Sequence, residues 1–213
     1  RTFIVGGAAA SLGLTAAAAT FRKREKNVTT YRMPTAFVPH GGGPWPVLAL
    51  PMVDAGETHS LAGYMRSIAD APKQTPSALL VVSAHWEETS VTVNSGKSPA
   101  MYYDYGGFPR QAYELQWPAP GAPKLADAVY ERLKGAGFGP AYNATRGYDH
   151  GTFIPLMLAY PQADIPVVQV SLKRGLEPAE HLELGAALAP FRDEGVYIIG
   201  SGNSLALLPP RYW

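Results

Sequence analysis

Three histidines lie where apolar runs of the chain give way to polar residues. His40 ends the run "TAFVPH", His85 ends "SALLVVSAH", and His150 lies within "RGYDHGTFIPL". Imidazole is both a common metal ligand and a group that exchanges protons near neutral pH. The sequence has no cysteine, which excludes thiolate metal sites and cysteine nucleophiles. Any metal site must therefore be built from His, Asp and Glu.

His40 and His85 also have structural interpretations. His40 could cap a turn, although the following Gly41–Gly43 would let a ligand or a neighbouring loop approach the backbone. His85 could be a hydrogen-bonded core histidine. Nearby, Glu87 or Glu88 could orient a histidine ligand, or both could be solvated.

His150 follows Asp149, which could hold the imidazole or raise its pKa for acid–base chemistry. In the alternative interpretation, Asp149 or Thr152 caps the helix that begins here, and capping is compatible with function. The remaining histidines are weaker candidates, because His59 lies in the polar stretch "AGETHS", read as a loop, and His181 lies within an amphipathic helix.

The elements that must position these side chains alternate along the chain. Continuous Leu/Val runs predict strands buried on both faces, and apolar residues at helical spacing predict helices between them. The predicted strands cover 35–40, 77–85, 166–172 and 195–202, and the predicted helices cover 122–137 and 177–191. This alternation indicates an α/β fold with a mostly parallel central sheet flanked by helices in three layers.

In such a sheet the carboxyl ends of the strands share one edge, where ligands bind. His40 follows the first strand, His85 ends the second, and Ser201–Ser204 follow the last. We therefore expect these residues to converge. Histidines without cysteine fit a non-haem iron or zinc site with an open coordination position, and spacing alone does not distinguish the two metals.

Composition limits the other function classes. The chain has 213 residues, 46% of them hydrophobic and 16% charged, which fits one domain of moderate size. The net charge of +1 gives no reason to expect a nucleic-acid partner. The stretch "HGGGP" lacks the residues of a phosphate-binding loop, and the sequence contains no GxSxG elbow for a serine nucleophile.

The N-terminal segment has a separate character. Residues 3–21 carry no charge, and the mainly basic stretch 22–26 follows. A membrane anchor, a cleaved targeting segment and a flexible tail all fit this pattern. We therefore exclude residues 1–32 from the fold. We expect the protein to be cytoplasmic, or to contact an organelle membrane or import machinery through residues 3–21.

Seven segments in order resemble a known family. They are "PHGGGP", "VVSAHWE", "YDYGGFP", "WPAPGAPKLA", "RGYDHGTFIPL", "IPVVQVSL" and "GSGNS". Together they are similar to the class III extradiol ring-cleavage dioxygenases, and most similar to the DOPA 4,5-dioxygenase branch. The resemblance covers residues 34–204, so we assign residues 33–204 to a catalytic domain.

The resemblance implies a reaction and a site. In that family a catechol chelates one divalent metal through both oxygens, O₂ binds beside it, and the ring opens next to the two hydroxyls. Ferrous iron is the redox metal of the family, and zinc occurs in the DOPA branch. By position, His40 and His85 match metal ligands and His150 matches a proton donor or oxygen-orienting group. The "YDYGGFP" loop implies a pocket wall made of Tyr103, Asp104, Tyr105 and Phe108.

The sequence departs from the family after Asn203. The family carries a "HN" pair where this chain has Ala206 and Leu207, and its last metal ligand lies further on. Two histidines alone would hold a metal poorly. We therefore expect residues 205–213 to be an atypical tail. Of two explanations, we favour a gene-model or splice artefact at the end of a genuine dioxygenase over a truncated relative without activity.

Two other functions stay open at this point. A non-catalytic protein on the same fold, similar to the related cell-motility mediator family, would need no complete set of metal ligands. A zinc hydrolase would use a metal-bound water, with only Glu87 or Glu88 as a candidate base.

Overall fold

A six-stranded sheet forms the centre of the computed structural model, which describes residues 31–203. The strands are β1 (Thr35–Val38), β2 (Ala78–Glu88), β3 (Thr92–Asn94), β4 (Ala141–Asn143), β5 (Val167–Lys173) and β6 (Val196–Ser201). The α-helices are α1 (Ala55–Ser67), α2 (Pro123–Gly135), α3 (His150–Ala159) and α4 (Pro178–Leu188). Short 3₁₀ turns occupy Ile68–Asp70, Arg110–Tyr113 and Ala189–Glu194.

The strand order is β1-β6-β2-β5-β3-β4. All neighbouring strands run parallel except β3 and β5, which are antiparallel. The predicted α/β fold with a mostly parallel sheet is therefore confirmed. The four predicted strands correspond to β1, β2, β5 and β6, whereas β3 and β4 were not predicted because each is only three residues long.

Alternating strand residues supply the two cores of a three-layer arrangement. Leu79 and Val81 point to one face, where they share a buried cluster with Phe153 of α3 and with residues of α1. Leu80 points to the other face, where it shares a cluster with Leu133 of α2 and with residues of α4. The continuous apolar run of β2 thus follows from burial on both sides.

Three of the helices can be compared with what the sequence predicts. The stretch around His59, read as a loop, lies in α1, whose first backbone N–H groups are capped by the Asp54 carboxylate. The helix α3 was expected after Asp149 and begins there. His181 lies within α4, as predicted.

Parts of several expectations fall outside the described residues. These are the uncharged segment 3–21, Ser204 and the tail 205–213. Among residues 31–203, we find no helix that combines the length and the apolar character needed to cross a membrane.

Candidate functional site

The side chains of His40, His85 and His150 meet at one edge of the sheet. Their candidate ligand nitrogens all lie within 4.8 Å of one another, and the Nε2 atoms of His40 and His85 are 2.8 Å apart. His40 lies two residues beyond β1, His85 lies in β2, and His150 is the first residue of α3. The predicted convergence of His40 and His85 is confirmed, and His150 joins them as a third imidazole.

A bulge in β2 aims His85 at this cluster. The pairing with β5 jumps from Ser83 opposite Ser171 to Glu87 opposite Leu172, so Ala84, His85 and Trp86 stand against a single step of β5. Extra residues on one strand bend it and redirect its side chains. The bulge therefore turns the imidazole of His85 toward His40.

The protonation of His40 follows from its hydrogen bonds. Its Nδ1 lies 2.8 Å from the hydroxyl oxygen of Ser201, the last residue of β6. That hydroxyl donates its single proton to the carbonyl oxygen of Gly151, so it must accept from His40 Nδ1–H. His40 consequently presents an Nε2 lone pair to the cluster.

Asp104 fixes His150 in the same way. Its Oδ1 accepts from the backbone N–H of His150 at 2.9 Å and from Nδ1–H at 2.8 Å. The Nε2 atom of His150 is buried and has no hydrogen-bond partner among the described residues. Asp104, which was predicted in the pocket wall, contacts the imidazoles, and its Oδ2 lies 3.7 Å from Nδ1 of His85.

Burial controls the charge of these groups. Burial lowers the pKa of His40 to about 2, and the neighbouring His150 and His85 act in the same direction. Burial, followed by His150, also lowers the pKa of His85. Burial disfavours the ionised form of Asp104, but the hydrogen bonds and the electrostatic attraction of His150 outweigh it and hold the Asp104 pKa below its usual value. Neutral imidazoles beside a carboxylate are the protonation states that a metal site needs.

Asp149 caps α3, which is one of the two roles that the sequence suggested for this residue. Its Oδ1 accepts from the backbone N–H of Thr152 and from the hydroxyl of Ser83. Its Oδ2 accepts from Arg146 and from the side-chain amide of Gln169. The imidazole of His150 is held by Asp104 and not by Asp149. The carboxylate of Asp149 is therefore a structural anchor within the site.

The glycines after His40 accommodate neighbouring aromatic rings. Gly41 and Gly43 have positive φ angles of 80° and 55°. A Cβ atom on Gly41 would lie 2.7 Å from the ring of Trp45, and one on Gly43 would lie 2.7 Å from the ring of Phe108. The close approach that the glycines predict is thus made by Phe108 of a neighbouring loop and by Trp45 of the glycine loop itself.

Aromatic side chains of the "YDYGGFP" loop stand beside the histidines. The Tyr105 ring centroid is 5.8 Å from that of His150 and 5.4 Å from that of Phe108, and Tyr103 lies 6.1 Å from Tyr105. The hydroxyls of Tyr103 and Tyr105 donate to the carbonyls of Leu115 and Ala112. These bonds fix the rings as a rigid apolar surface next to the imidazoles.

The carboxylates near His85 in sequence do not orient it. Glu88 accepts a hydrogen bond from the indole of Trp86, and Glu87 is exposed. Asp104 stands next to His85 instead, although a long stretch of chain separates the two residues. The loop motif nominated Asp104 as a pocket residue, but nothing in the sequence indicates which atoms its carboxylate contacts.

Comparison with known proteins identifies the family. The family model described as the catalytic LigB subunit of aromatic ring-opening dioxygenase matches residues 35–206. The chain belongs to the LigB family. It is 48% identical over 130 residues to "4,5-DOPA dioxygenase extradiol" of Beta vulgaris, covering 61% of this chain and 48% of that protein. It is 34% identical over 186 residues to the protein of that name in Escherichia coli K12, covering 87% and 65%.

A solved structure supports the fold of this LigB-family chain. The crystal structure of an uncharacterized protein from Escherichia coli K12 matches with a TM-score of 0.61 and 31% identity, over 80% of this chain and 60% of that one. The chain spans about half to two thirds of the length of these relatives. The described residues nevertheless include the six-stranded sheet and the three histidines.

The residues of this LigB-family site fit a divalent metal. His40 directs an Nε2 lone pair toward the cluster, and the Nε2 atom of His150 is buried there without a hydrogen-bond partner among the described residues. Between the Nε2 atoms of His40 and His85 there is room for one shared proton, which His85 supplies. If that proton moves to Nδ1 of His85, which lies 3.7 Å from Oδ2 of Asp104, His85 also presents a lone pair at Nε2. Three imidazole nitrogens within 4.8 Å of one another then suit zinc or ferrous iron.

Proposed function

We propose that this protein cleaves a catechol ring with O₂ at the centre formed by His40, His85 and His150. The observation that carries the proposal is the cluster of three imidazoles beside an aromatic wall. The LigB family match and the relatives named as DOPA dioxygenases support the same reaction. In this reaction both atoms of O₂ are incorporated, the ring bond next to the hydroxyls breaks, and an aldehyde and a carboxylic acid form.

We infer that His40 and His85 hold one divalent metal, and that His150 either completes the set or faces the substrate. When bound, the metal supplies a positive charge for the catechol oxygens and, as Fe(II), the one-electron chemistry that O₂ requires. Ferrous iron is therefore the proposed metal for turnover. Zinc would occupy the same nitrogens but lacks redox chemistry.

Residues around the histidines would determine which imidazole nitrogens carry a proton. Asp104 keeps Nδ1 of His150 protonated, so Nε2 is the atom that can accept a proton from a catechol hydroxyl. Burial keeps His40 neutral across the physiological pH range, so its Nε2 is not lost to protonation. Ser201 prevents rotation of the His40 ring by accepting from its other nitrogen.

The aromatic wall favours a flat, planar substrate. The Tyr105 ring lies next to His150, and the rings of Tyr103 and Phe108 pack against Tyr105. The two tyrosine hydroxyls donate to backbone carbonyls. This surface suits a catechol ring better than a polar aliphatic molecule. DOPA is the proposed substrate because several relatives carry its name.

Oxygen uptake by the full-length protein tests the proposal. The protein is purified without oxygen, loaded with Fe(II) or with Zn(II), and mixed with DOPA or an unsubstituted catechol in an oxygen electrode. We expect stoichiometric oxygen uptake and a yellow ring-opened product with Fe(II). Metal binding without oxygen uptake from any catechol would instead favour a non-catalytic relative on this fold.

The cellular location is a separate proposal. The uncharged stretch 3–21 and the basic residues after it suggest contact with a membrane or with import machinery. Fractionation of cells that express the full-length protein tests this, and recovery only in the cytosolic fraction would contradict it.

A further inference from the structure

The bulge that presents His85 is held by side chains in place of regular strand pairing. The backbone N–H of His85 donates to the hydroxyl oxygen of Ser83 at 3.2 Å. The backbone carbonyl of His85 accepts from Nη2 of Arg146 at 3.2 Å. Both peptide groups of this residue are thus bonded to side chains, at the place where the register with β5 jumps.

The two bonds lead to the same carboxylate. Ser83 donates its hydroxyl proton to Oδ1 of Asp149 at 2.7 Å, and Nη2 of Arg146 donates to Oδ2 at 3.2 Å. Asp149 is fully buried and also caps α3, the helix that starts with His150. The Asp149 carboxylate therefore connects the bulge that carries His85 to the helix that carries His150.

Arg146 is the charged residue of this connection, and its guanidinium lies between two aromatic rings. Its guanidinium carbon lies 4.8 Å from the ring centroid of Trp86 and 4.8 Å from that of Tyr102. A planar guanidinium fits between two aromatic rings, whereas the ammonium group of lysine does not stack in this way. Removing the cation would also leave a buried carboxylate without its counter-charge.

We propose that Arg146 is a positioning residue that, through Asp149, fixes the spacing between His85 and His150. The inference rests on the proposed function only in assigning these two histidines to the reaction centre. It makes a claim about the metal-free protein as well, because every bond in the connection is made by the chain itself.

The test compares Arg146→Met and Arg146→Lys with Arg132→Met in the full-length protein. Arg132 is a matched control because its guanidinium also lies over an aromatic ring, Phe191, at 6.0 Å, but on the side of the sheet covered by α2 and α4. Nuclear magnetic resonance signals of the histidine rings are recorded without metal, and the affinity for Zn(II) alone is measured by competition with a chelator.

We expect Arg146→Met to shift the ring signals of His85 and His150, to leave those of His59 and His181 unchanged, and to weaken zinc binding by about 10- to 100-fold. Arg146→Lys should give a smaller change in the same signals, and Arg132→Met should give none. If Arg146→Met does not fold, the ring signals and zinc affinity of Arg146→Lys test the inference.

Unchanged ring signals and zinc affinity in a folded Arg146 variant would overturn the inference, even if its melting temperature fell. A wild-type protein that binds no zinc would count against the proposed metal centre. The ring signals of the metal-free variants would still decide the positioning role in that case.

Discussion

The two faces of the sheet bury different kinds of residue. We call the face covered by α1 and α3 the polar face and the face covered by α2 and α4 the apolar face. On the face covered by α1 and α3, the first turn of α3 buries Asp149, His150 and Thr152, which are polar. On the face covered by α2 and α4, the buried helix residues are all apolar, among them Leu133 and Leu184. Buried polar groups lower stability unless they are paired, and their concentration on one face coincides with the proposed reaction centre.

The largest expected effect comes from removing one histidine on the polar face. His85→Ala should lower metal affinity by at least about 100-fold and abolish oxygen uptake, since a ligand is lost and not merely reoriented. His181→Ala is the control, because His181 belongs to α4 and binds the backbone of Lys173. Metal analysis after dialysis measures both variants. An unchanged metal content in His85→Ala would remove His85 from the ligands.

Truncation of a core residue on the apolar face should affect stability without affecting the site. Leu133 is fully buried in α2, so Leu133→Ala should lower the free energy of unfolding by about 2–5 kcal/mol. Zinc affinity of the folded fraction should stay within about twofold of wild type. Urea unfolding measures the free energy of unfolding, and competition with a chelator measures the zinc affinity. A proportional loss of zinc affinity would mean that the two faces are not independent.

Two helical glycines offer a matched comparison between the faces. A Cβ on Gly151 would lie 2.7 Å from the Ser83 hydroxyl and 3.1 Å from ring atoms of both His40 and His85, whereas one on Gly185 would meet no described atom within 4 Å. Gly151→Ala should therefore destabilise the protein by about 1–3 kcal/mol and weaken metal binding. Gly185→Ala should stabilise it by up to about 1 kcal/mol.

Thermal unfolding and zinc competition on the two alanine variants distinguish the glycines. Equal effects of the two substitutions on zinc affinity would show that close packing at Gly151 does not position the histidines.

Acidification should act on the polar face in the metal-free protein. The pKa of His40 is about 6.5 when unfolded and about 2 when folded, so the unfolded state binds the proton first. Stability is therefore lost as the pH falls below 6.5, by about 1 kcal/mol between pH 6.5 and 5.5 from this group alone. The lowered pKa values of His85 and Asp104 add to the loss in the same direction.

Urea unfolding at a series of pH values measures this slope. His40→Gln should reduce the slope. A slope that is the same in this variant and in the wild-type protein would contradict the burial of a neutral His40.

Much of this arrangement could be predicted from the sequence. Where prediction failed, the reason is physical. The apolar runs of β2, β5 and β6 are long enough to identify strands, and the edge rule for parallel sheets then brings His40 and His85 together. The α1 helix was missed because its apolar residues are few, with only Ala62 and Met65 buried.

The details of the site depend on distant contacts. The bulge at His85 is set by the register with β5, which local sequence does not reveal. The bond from His150 to Asp104 joins residues 46 positions apart, and the bond from His40 to Ser201 joins residues 161 apart. Residue types could nominate these groups, but only the fold shows which atoms meet.

Ring cleavage at this centre is tested most directly by following the oxygen atoms. The full-length protein loaded with Fe(II) is given a catechol under ¹⁸O₂, and the ring-opened product is examined by mass spectrometry. We predict that both labelled atoms appear in the product with the wild-type protein and that no product forms with His85→Ala. An unlabelled product, or hydrogen peroxide in place of ring opening, would contradict ring cleavage at this centre.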